Sequence, residues 1–154
     1  MQPTFYLMCG LPGAGKTTCA REIEQEAPAL RLTTDEWMLP LFGEQHSTPD
    51  LLKARDTMEA LLLDLAVKAL KLGVNVVLDY GVWSRAERED FRSRAREAGA
   101  STCLIYLDVP LEELKARVAA RNHNLQGSYP ITAAEMDLWA TWFENPDPEE
   151  LIPD

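Results

Sequence analysis

Gly10-Leu11-Pro12-Gly13-Ala14-Gly15-Lys16-Thr17, followed by Thr18, sets glycines, a lysine and a threonine at a spacing that can hold phosphate. The glycines permit a tight turn whose main-chain amides face inward as a concave anion nest. A helix starting at the loop's end adds free N–H groups and the positive end of its dipole. Lys16 then reaches the β- and γ-phosphate oxygens, and the Thr17 hydroxyl is placed to ligate Mg²⁺. The ligand implied is a nucleoside triphosphate, taken as ATP, with Mg²⁺ beside it. Asp79, closing an apolar run farther on, can hold that Mg²⁺ through a water, bind an acceptor, or simply cap a turn with Gly81.

The elements that must position these residues alternate. Thr4–Cys9 reads as a strand, and Gly15–Glu26 as the helix after the loop. Leu30–Thr34 reads as a second strand ending at Asp35, followed by a short helical piece with Trp37 and Met38 and a loop from Gly43 to Pro49. Leu51–Leu72 is a long helix, with apolar positions Leu52, Leu62, Leu65, Ala69 and Leu72, stopped by Gly73. Val74–Asp79 is an unbroken apolar run, as expected of a strand buried on both faces. Ser84 with Glu87 makes a capping box for a helix to about Ala98, Thr102–Leu107 is the fourth strand, and Pro110 with Glu112 and Glu113 opens a helix to Arg121. Thr132 with Glu135 caps a last helix that ends near Asn145-Pro146. Strands alternating with helices predict an α/β, three-layer fold around a parallel sheet, in one domain over residues 1–154. Ligands of such sheets lie beyond the carboxyl ends of the strands, where Gly10, Asp35 and Asp79 all fall.

Composition narrows the partners. The chain has 154 residues and a formal net charge of −10, and residues 132–154 carry seven acids and no Lys or Arg. Such a balance gives little general attraction for a polyanion, which disfavours nucleic acid as a partner. Cys9, Cys19 and Cys103 show no metal or disulfide spacing, and no apolar run is long enough to cross a bilayer. A reduced, cytoplasmic compartment is the expectation. His46 and His123 stand apart from other ligand types. No Asn-Lys-x-Asp string reads guanine, no Asp-Glu pair of a motor ATPase ends a strand, and segment 36–60 offers only Lys53 and Arg55 to the second phosphate of a nucleotide acceptor.

The order of these parts resembles the small P-loop kinases and phosphotransferases: Gly-x-Pro-Gly-x-Gly-Lys-Thr, an Asp closing strand two, an Asp ending strand three, then Arg-x-x-x-Arg before a short loop. Chloramphenicol phosphotransferase, zeta toxin and polynucleotide 5′-hydroxyl kinase belong to that group. The resemblance spans roughly residues 4–150 and includes VVLDYGVWSRAER (76–88) and WFENPDPEE (142–150). It implies a P-loop NTPase fold with strand order 2-3-1-4, and a fifth strand where relatives continue. It also implies that Asp35 accepts the proton of the acceptor hydroxyl, although Asp35 can equally cap a helix at Glu36. Arg117 and Arg121, four apart on one helix face, would clamp the β/γ phosphates, the alternative being a solvated face paired with Glu113. Residues 122–131, with Gly127, would form a short lid. Arg85 and Arg88 read better as surface charge than as ligands, and Trp139, Trp142 and Phe143 as one core-facing stripe. Trp37 and Trp83 are candidates for an acceptor pocket.

The activity implied is ATP- and Mg²⁺-dependent transfer of the γ-phosphoryl group to a hydroxyl, with a small-molecule acceptor favoured. A polynucleotide 5′-hydroxyl kinase and a nucleotide-dependent regulatory module with little catalysis stand as alternatives.

Overall fold

The computed structural model describes residues 1–43, 48–125 and 129–154. Four strands, β1 (Thr4–Cys9), β2 (Ala29–Leu32), β3 (Asn75–Gly81) and β4 (Ser101–Tyr106), form an all-parallel sheet in the order β2-β3-β1-β4. Among the described residues there is no fifth strand. Residues 148–154 lie beside β4 instead, and the Asp154 N–H donates to the Thr102 carbonyl at 3.1 Å. The six helices described are α1 (Lys16–Glu26), α2 (Thr34–Phe42), α3 (Pro49–Lys71), α4 (Arg85–Glu97), α5 (Leu111–Asn122) and α6 (Ala133–Trp142), with a 3₁₀ turn at Pro148–Leu151.

The central strands are apolar throughout because both faces are covered. On one face Phe5, Leu7 and Cys9 of β1 and Val76 and Leu78 of β3 pack with Leu62, Ala66 and Leu70 of α3 and Phe91 and Ala95 of α4. On the other, Met8 and Val77 pack with Ala20 of α1. Each large side chain so buried contributes about 1.5–3 kcal/mol of transfer free energy. A third cluster, Leu11, Ala14, Leu114, Val118 and Met136, ties the phosphate loop to α5 and α6.

Two elements depart from the sequence reading. β2 ends at Leu32: Thr33 is extended but serves as the N-cap of α2, so Thr34 and Asp35 are its first helical residues. The β-branched pair reads as strand, while Asp35 and Glu36 in the first turn suit a helix start. In α3 the buried face is Leu62, Leu63, Ala66, Ala69 and Leu70, and Leu52, Leu65 and Leu72 are exposed. Among the described residues no helix is long and apolar enough to cross a membrane.

Candidate active site

The phosphate loop runs from β1 into α1 at the carboxyl edge of the sheet. Gly13 has a φ of 87°, and a Cβ there would come within 3.0 Å of Val118 Cγ2 and 3.1 Å of the Leu114 carbonyl. Only glycine lets the loop lie this close to α5. Gly15 caps α1 in a left-handed conformation without a side chain, leaving the first-turn amides of Lys16, Thr17 and Thr18 without intrahelical acceptors. A Cβ on Gly15 would meet nothing within 4 Å, so the loop is open there.

Lys16 Nζ donates to the Leu11 carbonyl at 2.9 Å. Burial pulls its pKa down to about 8; the Asp79 and Asp35 carboxylates work against that fall, and the Arg121 cation adds to it. A half-buried ammonium whose positive neighbour is held close by the fold has the charge that a polyphosphate would complement. Thr17 Oγ1 donates to Asp79 Oδ2 at 2.8 Å. Asp79 is buried, which raises its pKa, while the Thr17 hydrogen bond and Lys16 oppose the rise. Among the described residues no group of three or more His, Cys, Asp or Glu could hold a metal. The Thr17–Asp79 oxygens do fit a hard divalent cation that completes its shell with phosphate and water.

Asp35 sits in the first turn of α2, one residue past the start, so the N-cap role belongs to Thr33. Asp35 Oδ1 accepts from Arg55 Nη2 at 2.6 Å, with both side chains about one-third exposed (32 % and 31 %). The Arg55 guanidinium also lies over the Tyr129 ring, 5.5 Å from its centroid. Sequence reasoning counted Arg55 only as one of two bases in its segment. Twenty residues and a loop separate it from Asp35, so no local pattern marks the pairing.

Arg121 lies within electrostatic reach of both Lys16 and Asp35, and its pKa is lowered by burial with Asp35 opposing. Its Nε is buried and has no hydrogen-bond partner among the described residues. A triphosphate oxygen fits that need. Arg117 is held differently: Nη2 pairs with Glu113 at 2.6 Å and Nη1 donates to the Gly13 carbonyl at 3.3 Å, with the side chain 45 % exposed. It bonds the Gly13 carbonyl of the loop and forms the surface pair with Glu113 that stood as the alternative to a phosphate clamp.

Residues 126–128, Gly127 included, and His46 lie outside the described residues. The two flanks of the expected lid are tied together, since Asn122 Nδ2 donates to the Ile131 carbonyl at 2.6 Å and Ile131 N–H to Asn122 Oδ1 at 3.1 Å. His123 caps the carboxyl end of α5. Trp83 lies against the phosphate loop and Trp139, ring centroids 5.7 Å apart, and Trp37 is exposed on α2. Phe143 stacks on Tyr106, while Trp142 is exposed, so only part of that stripe is core.

Arg88 corrects the sequence reading outright. It is fully buried, pairing with Glu150 rather than standing as surface charge, whereas Arg85 is exposed and pairs with Asp147. The helical spacing of Arg88, Phe91, Arg92 and Ala95 marks one inward face and was the available signal.

The parallel sheet, with its glycine loop leading into α1 and an aspartate at the adjacent strand end, defines a P-loop NTPase. A family model described as AAA domain matches residues 5–146, and the chain belongs to that family. Its β3 ends Asp79-Tyr80-Gly81, without the Asp-Glu pair of a motor ATPase. A chain of the Pnkp1/Rnl/Hen1 RNA repair complex is similar at 25 % identity and a TM-score of 0.74, over 91 % of this chain and 43 % of that one. The protein thus spans a little under half of that chain's length. A gluconokinase from Sinorhizobium meliloti 1021 (16 % identity, TM-score 0.65, 97 % of this chain and 80 % of that one) shares the fold. So does the Mycobacterium tuberculosis APS kinase CysC, solved with AMPPNP and APS (17 %, TM-score 0.64, 94 % and 84 %). The kinases among these neighbours match the group that the loop and the Asp-Asp-Arg order resemble.

Proposed function

We propose that the protein is an Mg²⁺-dependent ATP kinase that phosphorylates a hydroxyl of a small-molecule acceptor. The observation that carries this reading is the convergence of Lys16, the Thr17–Asp79 pair and Arg121, whose Nε has no partner among the described residues, with the Asp35 carboxylate at one edge of the sheet. A loop that only stored nucleotide would need the first three and not the last.

In this reading the loop amides and Lys16 hold the triphosphate, and Arg121 neutralises charge on the group in transit. Thr17 and Asp79 would hold Mg²⁺, which supplies charge neutralisation on the phosphate oxygens when bound. Asp35 orients the acceptor hydroxyl through the oxygen that Arg55 leaves free and takes its proton. The new O–P bond forms as the β,γ-bridging O–P bond breaks, and that bond's electron pair leaves on ADP.

The 25 % identity to a chain of an RNA repair complex favours a second reading, a polynucleotide 5′-hydroxyl kinase. The net charge of −10 weighs against it. Incubation with γ-labelled ATP and separate pools of sugars, hydroxy acids, amino-alcohol antibiotics and 5′-hydroxyl oligonucleotides tests both. Label in a small-molecule pool supports the proposal, and label in oligonucleotide alone replaces it with the second reading. Slow hydrolysis, unstimulated by any pool, indicates a regulatory nucleotide-binding module instead.

A further inference from the structure

Two stretches that the chemistry above leaves unused are joined in the folded chain: residues 81–88, at the end of β3 and the start of α4, and residues 143–150, past α6. We propose that they form a brace that sets the shape of the phosphate loop, with Trp83 as the contacting residue and the Arg88–Glu150 pair as its anchor. The proposal rests on the nucleotide-binding reading of that loop.

Gly10, the loop's first residue, is gripped through both polar main-chain atoms. Its N–H donates to the Gly81 carbonyl at 3.1 Å, and its carbonyl accepts from Trp83 Nε1 at 3.2 Å. Gly81 has a φ of 100°, and a Cβ there would stand 2.8 Å from Trp83 Nε1 and 3.0 Å from the Gly10 oxygen. The contact therefore tolerates no side chain at position 81. Next to it, Val82 holds a φ of 35°, which a buried β-branched residue adopts only when its surroundings impose it.

Those surroundings are identifiable. Arg88 Nη1 donates to the Val82 and Trp83 carbonyls at 3.0 and 3.1 Å, Cys9 Sγ donates to the Val82 carbonyl at 3.6 Å, and Glu144 N–H donates to the Trp83 carbonyl at 2.9 Å. Arg88 is wholly buried, and its charge is met by Glu150, 3 % exposed, through Nε–Oε1 at 2.9 Å and Nη2–Oε2 at 3.3 Å. Arg92 Nη1 adds a contact to Oε1 at 3.1 Å, and the Asp147 N–H one to Oε2 at 2.8 Å. Against the cost of burial, the bonds from Arg88, Asp147 and Arg92 hold the Glu150 pKa down at about 2, so the anchor stays ionised. A buried ion pair is a weak source of stability but fixes one geometry, here the strained turn that grips Gly10. Loop amides preset for phosphate bind it without first being ordered.

Calorimetric titration of the full chain with Mg·ATP, beside thermal melts, tests the brace. Trp83→Phe keeps an aromatic ring beside Trp139 but removes the indole N–H together with part of the bicyclic surface. It is expected to raise the ATP Kd about 3- to 10-fold, the worth of one hydrogen bond, when read at a temperature well below a melt that the smaller ring lowers. Glu150→Gln is expected to shift Kd the same way at a temperature well below its melt, and Trp142→Phe, exposed on α6, to leave it unchanged. Kd values for Trp83→Phe and Glu150→Gln both within about twofold of wild type overturn the proposal. If Glu150→Gln does not fold, Trp83→Phe decides alone. Failure of wild type to bind ATP at all removes the nucleotide reading and the brace with it, a result distinct from variants that match a binding-competent wild type.

Discussion

The proposed donor and acceptor sides of the candidate site are built differently. On the donor side the loop is packed from beneath by Leu114, Val118 and Met136, its first residue is bonded through both main-chain polar atoms, and the buried Asp79 carboxylate holds the Thr17 hydroxyl. On the acceptor side Asp35 and Arg55 are partly open, and Trp37, Leu41 and Phe42 of α2 are exposed. A shallow groove of about 340 Å³ runs between Phe42 and the α3 residues Asp50, Lys53, Ala54, Thr57, Met58 and Leu61. The triphosphate is the same for any kinase and rewards a rigid mould. The acceptor differs from one kinase to the next, and in the proposed reading its side of the site is left for the substrate to complete.

The comparison breaks most sharply at Lys16. Lys16→Ala is expected to lower ATP affinity and turnover by at least about 100-fold with no loss in the thermal melt, because burial already works against that ammonium in the folded chain. Parallel titrations and melts read this directly, and wild-type affinity in the variant would remove the donor side as described. On the acceptor side, Asp35→Asn should reduce turnover by about tenfold or more while ATP affinity persists. Equal turnover in single-turnover assays would reject Asp35 as the proton acceptor.

The smallest effect concerns stability. Burial raises the Glu59 pKa to about 7 from an ordinary 4.5; Arg55 opposes the rise, and Glu87, Asp56 and Asp35 add to it. The folded chain therefore keeps a proton that the unfolded chain releases above about 4.5, and this carboxyl's contribution falls as pH rises from 4.5 through 7. Glu59→Gln should be more stable than wild type by about 1–2 kcal/mol at pH 8 and near equal to it at pH 4.5. Melts at the two pH values check it, and an equal difference at both would point to another group.

Legibility in the sequence follows the same divide. The phosphate loop and the helix stops at Gly73 and Gly99 were readable because each depends on neighbours a few residues away, whereas the order of the four strands came from the resemblance to small P-loop kinases. Thr33 and Thr34 misled at the end of β2, where strand propensity and helix capping compete for the same residues. The Asp35–Arg55 pair spans 20 residues and the Arg88–Glu150 pair 62, and pairings at such range leave no periodic trace. Glu150 was the least legible: in a tail of seven acids nothing singles out the one that is buried.

The contact between Asp154 and Thr102 has a consequence for how copies of the chain meet. β4 is an outer strand, and an outer strand with open carbonyls invites pairing with the same strand of another copy. The Asp154 N–H occupies one of those carbonyls, and the 3₁₀ turn packs along the same strand. At the opposite border β2 is only four residues long and carries Arg31, tied to Glu24 and Glu36. Short length, fixed charge and a covering segment are the means by which a sheet avoids growing into aggregates, and both borders here carry at least one of them.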